Sequence, residues 1–509
     1  MCGILFTNKK NITKKSFIDA LKLMTHRGPD SIDTMWVDEN IKLGHTRLSI
    51  IDLDKRSNQP FCSQNGRYVI IFNGEIYNYE EIAKEYKINL NTKSDTEVLI
   101  ELYAILGEDM LHQLNGMFSI VIYDLIKKDV FVARDRLGIK PLYYFLNDKE
   151  IIVSSEIAPI LKMCKYVDID EIGLRQYKKL RTFFNGHTLY KNIGMFKAGT
   201  FLKSGRIKTY WSLQEKETKP PTYDELRFLI ESAVRYRCIS DVPIGSYLSG
   251  GLDSTIITGI SGTNDTWTVG FKDNNEFKWS ELAAKKFNSS HNIVLTNKEE
   301  YIETLEWMVK KRREPLSVPN EVLIYLMTKK LKEKNTVVLS GEGADELFFG
   351  YDRIFNWAYN SKWDLKEFDK HYSYGSHDDL EILEYALEEH YHHRSAIDIV
   401  GSFFQISHLH GLLRRLDNSS MLCSVEARVP FVDHRLIDRM YKVPYEYRIK
   451  KGISKYPLKE IFKDIVPSDI INREKVGFPV PLDSIFSGQK DKSTIMDEWF
   501  NFNLNLLLN

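Results

Sequence analysis

The chain has 509 residues, of which 43% are hydrophobic and 12% aromatic, enough for sizeable cores and a composition that argues against disorder. Its formal net charge is zero, so the strong basic excess typical of a general nucleic-acid binder is missing. The length exceeds that of one ordinary domain, and we expect two.

The cysteines and the lengths of the apolar runs predict the localisation of the protein in the cell. The five cysteines are scattered, odd in number and without a CxxC pair, which indicates reduced thiols in the cytoplasm. The amino-terminal segment lacks the charged and apolar regions of a secretory signal. No apolar run approaches the roughly 20 residues of a membrane span. We therefore expect a soluble cytoplasmic protein with no nucleic-acid or membrane partner.

Cys2 is the first residue with a chemical interpretation. If Met1 is removed, the thiol and the α-amine of Cys2 lie on one residue. A free α-amine has a pKa near ~8 and can act as a general base near neutral pH. An N-terminal nucleophile needs only that pair. The alternative is that Cys2 is a small buried hydrophobic residue, the commonest role of a free cysteine.

The first two hundred residues predict an α+β layered domain. Short β-branched and aromatic runs, bounded by glycine or asparagine, predict strands at 67–72, 118–123, 129–133 and 150–154. A helical pattern covers Asp95 to Leu106.

Polar clusters lie between these apolar runs. Arg47, in GHTRLSI, could bind a carboxylate through two parallel hydrogen bonds. Asn73 and the backbone N–H of Gly74, in NGEIYN, could form an oxyanion hole. The alternative for Asn-Gly is a hairpin turn. Asp95, in SDTEV, could bind the ammonium group of a substrate.

A polar stretch divides the chain. Residues 206–221 end in Lys-Pro-Pro and predict a linker between a domain at 2–205 and a domain at 222–509. Thr222 and Glu225 then form an S/T-x-x-E capping box for a helix.

The second domain alternates strands with helices. That helix runs to about Arg237, and strands are predicted at 245–248, 266–269 and 336–339. The alternation predicts a parallel sheet with helices on its faces. The aromatic and charged segment 355–400 is predicted to be helical.

A glycine-rich turn follows the first of these strands. Residues 247–255 read YLSGGLDST, an apolar strand that ends in Ser-Gly-Gly before a helix begins. Glycines let backbone N–H groups approach an anion, and a helix N-terminus favours negative charge. Ser249 and Ser254 add hydroxyl donors, so the turn predicts a pyrophosphate site; the alternative is a tight turn. A GxxxxGK[ST] P-loop is missing, which disfavours γ-phosphate transfer of the usual NTPase type.

A second strand also ends in Ser-Gly. Residues 338–346 read VLSGEGADE, in which Glu342 and Asp345 follow the carboxyl end of the strand. Ligands of open α/β sheets bind in the crevice at that edge. These carboxylates could bind Mg²⁺ on phosphate oxygens. The alternative is an acidic pair at a helix start.

Taken in order, these motifs resemble the glutamine-hydrolysing asparagine synthetases over nearly the whole chain. MCGI, HRGPD, GHTRLSI, NGEIYN and SDTEV, with GMF at 116–118 and RDRLGIKPLY at 134–143, are similar to class II glutamine amidotransferases. SGGLDS, SGEGADE, SVEARVPF at 424–431 and KYPLKE at 455–460 resemble the ATP-pyrophosphatase synthetase domain. The resemblance implies an α+β N-terminal nucleophile (αββα sandwich) domain followed by an α/β parallel-sheet domain of the adenine nucleotide hydrolase type.

The resemblance implies a glutaminase site in the first domain. Cys2 would attack the glutamine amide, with its α-amine as base. Arg47 and Asp95 would bind the α-carboxylate and α-ammonium of glutamine. Asn73 and Gly74 would stabilise the oxyanion, with help from the Glu75 backbone. The implied glutamine-binding residues are Arg47, Leu48, Ser49, Ile50, Ile51, Asn73, Gly74, Glu75 and Asp95.

The resemblance also implies an ATP site in the second domain. Glu342 would guide attack of ammonia on an acyl-adenylate, and Lys455 would neutralise charge near the α-phosphate. Asp253 and Asp345 would be the Mg²⁺-associated carboxylates. The implied ATP-binding residues are Leu248, Ser249, Gly250, Gly251, Asp253, Ser254, Val269, Ser340 and Gly341.

The implied reaction is the ATP-driven amidation of aspartate with glutamine nitrogen, through an aspartyl-adenylate, with ammonia passing through an internal channel. The implied small-molecule partners are glutamine, aspartate and ATP, and a homodimer is left open. Segment 271–280 matches the family only loosely, and segment 313–320 belongs to the family's variable region near the acceptor. A carboxylate on a sugar acid or cell-wall peptide is therefore an alternative acceptor.

Two further alternatives concern the class of protein and a histidine cluster. A non-catalytic scaffold homologue would lack Cys2 or the SGGLDS residues, and all of them are present. The sequence HYHH at 390–393 lacks the ligand spacing of a zinc site, and we predict that it lies on a helix surface.

Overall fold

The structure is a computed structural model that describes residues 2–147, 150–164, 167–213, 219–393, 395–474, 479–486 and 492–508, with the backbone alone at 492–494. Its strands are β1 (Gly3–Thr7), β2 (Ser31–Trp36), β3 (Lys42–Arg47), β4 (Phe61–Cys62), β5 (Tyr68–Ile76), β6 (Gly116–Asp124), β7 (Asp129–Arg134), β8 (Tyr143–Asn147), β9 (Glu150–Ser154), β10 (Ile193–Met195), β11 (Thr200–Lys203), β12 (Arg206–Thr209), β13 (Ile244–Tyr247), β14 (Asp265–Phe271), β15 (Ser290–Thr296), β16 (Val337–Leu339) and β17 (Glu426–Arg428).

The α-helices are α1 (Lys14–Lys22), α2 (Tyr79–Glu85), α3 (Asp95–Leu106), α4 (Ile157–Met163), α5 (Glu171–Leu180), α6 (Tyr223–Arg237), α7 (Leu252–Ser261), α8 (Phe277–Phe287), α9 (Lys298–Arg312), α10 (Asn320–Leu331), α11 (Ala344–Phe348), α12 (Asp352–Asn360), α13 (Leu365–Tyr372), α14 (Leu380–Leu387), α15 (Ala396–Phe403), α16 (Leu409–Met421), α17 (His434–Met440), α18 (Tyr445–Arg448), α19 (Tyr456–Ile461), α20 (Ser468–Asn472), α21 (Leu482–Ile485) and α22 (Lys492–Leu508). None of the described helices is long and apolar enough to cross a membrane.

Two antiparallel sheets form the centre of the first domain. One has the strand order β10-β8-β9-β1-β3-β2 and the other β12-β11-β7-β6-β5-β4. Alternate side chains of their strands, such as Ile4, Ile71 and Val153, pack together between the sheets. The opposite faces are covered by helices, with Leu21 of α1 against one sheet and Leu99 of α3 against the other. The result is the αββα sandwich that the family resemblance implies.

The second domain is built on a parallel sheet. Its strand order is β15-β14-β13-β16-β17, and every neighbouring pair runs parallel. Parallel strands need crossover connections, which α7, α8 and α10 provide, so strand ends converge at one edge. The predicted strands, and the helix that starts after Thr222, are confirmed in position to within a few residues. Thr222 Oγ1 accepts from the Glu225 N–H (3.2 Å), while the Glu225 carboxylate accepts from Arg439.

Segment 355–400 is helical, as predicted, and contributes α12 to α15. Phe355, Phe368 and Phe403 form an aromatic core there, which also includes Phe184 of the first domain. This core joins the two domains away from the sheets.

One prediction about the domain boundary needs correction. Arg206–Thr209, which the sequence placed at the start of the linker, is the strand β12 and pairs with β11 in the first domain. Its residues are all exposed, so the polar pattern of a surface edge strand imitates that of a linker. Residues 214–218 of the predicted linker lie outside the described residues, and the exact limits of the domains stay a prediction.

Candidate active sites

Cys2 lies directly before β1, and its backbone is hydrogen-bonded on both sides. The Cys2 N–H donates to Asn73 Oδ1 (3.1 Å), and the Cys2 carbonyl accepts from Arg27 Nε (3.1 Å). Burial raises the pKa of the Cys2 thiol, and the positive charge of Arg47 acts in the opposite direction. The structure therefore brings Cys2 into contact with Asn73, two residues that are far apart in the sequence.

Asn73 and Gly74 lie on β5 beside this cysteine. Asn73 is completely buried, and its Nδ2 has no hydrogen-bond acceptor within the described part of the chain. A Cβ atom at Gly74 would lie 2.0 Å from the carbonyl oxygen of Met117 on β6, so only glycine fits. A buried amide donor without an acceptor, next to a cysteine, suits a developing oxyanion.

Arg47 ends β3 and is bound by neutral acceptors. Its Nη1 donates to the Asp54 carbonyl and to Asn58 Oδ1, each at 2.7 Å, and its Nη2 donates to the Asp52 carbonyl. These contacts orient the guanidinium without neutralising its charge. Arg47 also lines a cavity of about 670 Å³ together with Leu48 and Ser49. The lining of this cavity also includes the carboxylates of Asp30 and Asp33, and it does not include Cys2, so the cavity lies beside the cysteine rather than over it.

The loop after Arg47 is fixed against the second domain. Asp241 accepts from the Asp52 N–H through its carboxylate and donates its own N–H to the Ile50 carbonyl, both at 2.9 Å. Ile50 and Ile51 are buried beneath this contact. The second domain thus supports the predicted glutamine-binding loop.

Asp95 begins α3 and accepts from the Ile76 N–H (3.0 Å). Burial raises the pKa of Asp95 to about 6. Burial, together with the charges of Glu426 and Asp95, also raises the pKa of the neighbouring Glu75 well above its ordinary value. Glu426 belongs to the second domain, so the two domains share this acidic cluster.

Sequence reasoning assigned no role to Glu426 or its neighbour Arg428. Both are completely buried on β17, and Arg428 Nε donates to Glu426 Oε1 (2.6 Å). Arg428 Nη2 lies 3.8 Å from Glu75 Oε1 in the first domain. The motif SVEARVPF contains both residues, but their position next to a site of the other domain follows only from the fold.

The turn after β13 is closed by its own hydroxyl groups. Ser249 Oγ accepts from the Gly251 N–H (3.2 Å) and lies 3.1 Å from Ser254 Oγ. Gly250 has a φ of +72°, and a Cβ atom there would lie 2.2 Å from the Trp279 backbone. The turn therefore has the small, N–H-rich form that binds phosphate groups. Leu248 and Val269 are buried beside it.

The turn after β16 packs directly on the turn after β13. A Cβ atom at Gly341 would lie 3.0 Å from the Ser254 N and 3.1 Å from the Asp253 Cβ. The Ser340 N–H donates to the Arg428 carbonyl of the next strand (2.9 Å). The two Ser-Gly motifs, which are distant in sequence, thus form one site at the carboxyl edge of the sheet.

Lys455 joins the acidic residues of these two turns. Its Nζ lies 2.5 Å from Asp253 Oδ2 and 2.5 Å from Asp345 Oδ1. Burial would lower the pKa of Lys455, but the two carboxylates outweigh this effect and raise it. Lys455 lies just before α19, not within it, and adopts a left-handed conformation that directs the main chain into the helix.

Glu342 has a cationic partner that the sequence did not reveal. Arg415 Nη2 on α16 donates to Glu342 Oε1 (2.5 Å). Arg415 is 8% exposed, so this ion pair lies largely out of water. No quoted motif contains Arg415, and only the packing of α16 against α10 places it here.

The histidine cluster at 390–393 is not a helix surface, contrary to the prediction. His390 is 1% exposed, and its ring nitrogens lie 2.8 Å from the hydroxyls of Ser402 and Ser407. Burial lowers the pKa of His390 to about 3. Among the described residues, no group of three or more His, Cys, Asp or Glu side chains could hold a metal ion.

Comparison with known proteins assigns each half of the chain to a protein family. Residues 1–212 match a glutamine amidotransferase domain, and residues 225–498 match asparagine synthase. Asparagine synthetase [glutamine-hydrolyzing] 1 of Bacillus subtilis (strain 168) is 31% identical over 95% of this chain and 87% of its own length.

Two further relatives match at similar extent. Asparagine synthetase B [glutamine-hydrolyzing] of Escherichia coli (strain K12) is 28% identical over 94% of this chain and 82% of its own length. Asparagine synthetase [glutamine-hydrolyzing] of Gallus gallus is 27% identical over 100% of this chain and 89% of its own length.

An amidotransferase sandwich with a cysteine before its first strand, joined to a parallel-sheet domain with two Ser-Gly turns, defines an ATP-dependent carbon–nitrogen ligase. Within this class, the family match over residues 225–498 and the relative that matches 95% of the chain identify one family. The chain belongs to the glutamine-hydrolysing asparagine synthetase family.

Proposed function

We propose that the protein transfers the amide nitrogen of glutamine to the side-chain carboxylate of L-aspartate, which ATP first activates as an acyl-adenylate. The products are asparagine, glutamate, AMP and pyrophosphate. The observation that carries this proposal is the convergence of the two Ser-Gly turns, with Lys455 within 2.5 Å of a carboxylate from each. Such a site suits a reaction in which charge develops on phosphate oxygens.

Glutamine hydrolysis begins at Cys2. After removal of Met1, the Cys2 amine accepts the thiol proton, and the sulfur forms a bond to the glutamine amide carbon. Asn73 Nδ2 donates to the resulting oxyanion. The C–N bond then breaks, the amine returns the proton, and ammonia leaves. Water hydrolyses the thioester to give glutamate and the free thiol.

Activation of aspartate takes place between the Ser-Gly turns. A carboxylate oxygen of aspartate bonds to the α-phosphorus of ATP, and pyrophosphate leaves. Backbone and hydroxyl donors at Ser249 and Gly251 bind the departing pyrophosphate, and the Lys455 ammonium stabilises charge near the α-phosphate.

A magnesium ion fits the same site. Asp253 and Asp345 contact one ammonium from two sides, so their carboxylates lie close together beside the phosphate turn. Carboxylate oxygens that complement phosphate oxygens are the usual ligands of Mg²⁺. When bound, the ion would neutralise phosphate charge, and Asp253 and Asp345 would bind it.

The final step joins the two half-reactions. Ammonia attacks the acyl carbon of the adenylate, AMP leaves, and the nitrogen loses a proton. Glu342 is an acidic residue of the second turn, and its Oε1 accepts from Arg415 Nη2 (2.5 Å). An ionised carboxylate can accept that proton.

The test is the product nucleotide with a panel of acceptors. Purified protein is incubated with glutamine, ATP and either aspartate or another carboxylate, including sugar acids and cell-wall peptides, and AMP and pyrophosphate are quantified. Equal amounts of AMP, pyrophosphate and asparagine with aspartate alone support the proposal. Turnover restricted to another carboxylate overturns the acceptor, and formation of ADP overturns the adenylate.

A further inference from the structure

Helix α16 of the second domain carries two charged side chains that contact both candidate sites. Arg415 donates to Glu342 at the synthetase site, as described above. Two positions further along, Asp417 is 3% exposed, and its Oδ2 accepts from Arg27 Nη2 of the first domain (2.9 Å). Residues two positions apart on an α-helix point to nearly opposite faces, so α16 lies between the two sites.

Arg27 connects Asp417 to Cys2 through hydrogen bonds to both residues. Its guanidinium is completely buried, and its Nε donates to the Cys2 carbonyl (3.1 Å). The carboxylate of Asp417 is thus separated from the Cys2 backbone by one guanidinium group. A planar guanidinium transmits orientation well, because its donors have fixed directions relative to each other.

We propose that Asp417 is a positioning residue for glutamine hydrolysis. Through Arg27 it sets the orientation of the Cys2 backbone, and hence the direction of the thiol relative to the amide donor of Asn73. A side chain of the second domain therefore controls how fast the first domain hydrolyses glutamine. This inference rests on the proposed role of Cys2.

The charged residues around Asp417 allow its contact with Arg27 to be weakened while Arg27 keeps another anionic partner. In an Asp417→Asn variant, Arg27 keeps an anionic partner, because its Nη1 lies 3.2 Å from Glu156 Oε1. Lys140 also lies 3.4 Å from Asp417, and burial lowers the pKa of this lysine, which favours loss of its proton. The variant therefore alters the geometry at Cys2 without leaving Arg27 as an unpaired buried charge.

The experiment compares two activities of the full chain. In Asp417→Asn, kcat for glutamine hydrolysis should fall on the order of 10- to 100-fold, the scale expected when a reacting group is displaced by ~1 Å. The KM for glutamine should stay within about threefold, because Arg47 and Asp95 are unchanged. Synthesis from ammonia should stay near the wild-type rate, which also shows that the second domain is folded.

Two further variants complete the design. Asp417→Glu keeps the negative charge but displaces the carboxylate by one methylene group. Its kcat for glutamine hydrolysis should therefore fall measurably, though by less than that of Asp417→Asn. Asp369→Asn removes another ion pair between the domains, Lys179 Nζ to Asp369 Oδ2 (2.7 Å), which does not reach Cys2. This control should leave both activities unchanged.

Several outcomes would overturn the inference. These are unchanged glutamine hydrolysis in Asp417→Asn, equal loss of both activities, or the same loss in the Asp369→Asn control. If Asp417→Asn does not fold, Asp417→Glu decides, and an unchanged kcat there overturns the inference. A wild-type protein without glutaminase activity would instead refute the proposed function.

Discussion

The ammonium of Lys455 lies 2.5 Å from the carboxylate of Asp345, and the backbone of Gly350 lies directly against both side chains. A Cβ atom at Gly350 would lie 2.3 Å from Lys455 Cε and 1.9 Å from Asp345 Oδ1. The absence of a side chain at position 350 is therefore what lets the lysine reach the acidic residues. The pair lies where we expect the α-phosphate of ATP.

Replacement of Lys455 should affect the rate of synthesis. Lys455→Met removes a cation that stabilises the transition state, and synthesis should fall by roughly 10²-fold, the scale of losing one such donor. Lys459→Met is the control and should matter less, since Lys459 is only half-buried and lies one helical turn away. The measurement is aspartate- and ammonia-dependent release of AMP. Unaltered release in both variants would show that Lys455 is outside the site.

The Ser-Gly-Gly turn should be needed for adenylate formation only. Ser249→Ala removes the hydroxyl that accepts from the Gly251 N–H, and Asp253→Ala removes a carboxylate bound by Lys455. Both variants should slow ATP–pyrophosphate exchange in the presence of aspartate while glutamine hydrolysis persists. Wild-type exchange in both variants would contradict the assignment of this turn to pyrophosphate.

Cys2→Ala should separate the two half-reactions. Without the thiol no covalent intermediate forms, so glutamine hydrolysis should be lost, whereas synthesis from ammonia should continue. Cys62→Ala is a matched control, because Cys62 is exposed on β4 and belongs to none of the motifs of the site. Parallel loss of both activities in folded Cys2→Ala protein would mean that the sites are not separate.

Maturation of the amino terminus is a direct consequence of the proposed mechanism. The Cys2 amine can act as a base only when it is free, so the active protein should begin at Cys2. Mass spectrometry of the active fraction should show a mass lower by one methionine. Active protein in which Met1 is retained throughout would rule out the N-terminal nucleophile.

The pH dependence of glutamine use should depend on Asp95. Burial raises the pKa of Asp95 to about 6, so the carboxyl group is neutral below that pH and ionised above it. Only the ionised form binds the ammonium of glutamine well, so kcat/KM for glutamine should fall as the pH drops through about 6.

The variant Asp95→Asn tests this assignment. It should lower kcat/KM above a pH of about 6, where Asp95 of the wild type is ionised, and should remove the acidic limb. Synthesis from ammonia should show no such limb in either protein. The variant is needed because the neighbouring Glu75 also has a raised pKa. An unchanged limb in Asp95→Asn would assign the titration to another group.

Local patterns predicted much of the fold because they depend on neighbouring residues. The predicted helix Asp95–Leu106 has the predicted bounds, and a side-chain cap at Ser94 explains its start. The linker prediction was partly wrong, because β12 is an exposed edge strand whose polar residues look like a loop. The histidine prediction was wrong, because Ser402 and Ser407, which follow the cluster in the sequence, fold back and satisfy His390 in the interior.

The sequence by itself determined the order of the two folds and the two Ser-Gly turns, and it identified Cys2 as the candidate nucleophile. Each of these predictions rests on short motifs whose meaning depends on a few adjacent residues. Only the tertiary structure decided which residues from different motifs meet. Arg415 and Asp417 lie in no motif, yet they contact Glu342 and Arg27 through ion pairs. Such contacts depend on how helices and sheets pack across the domain boundary, and that packing is spread over the whole chain.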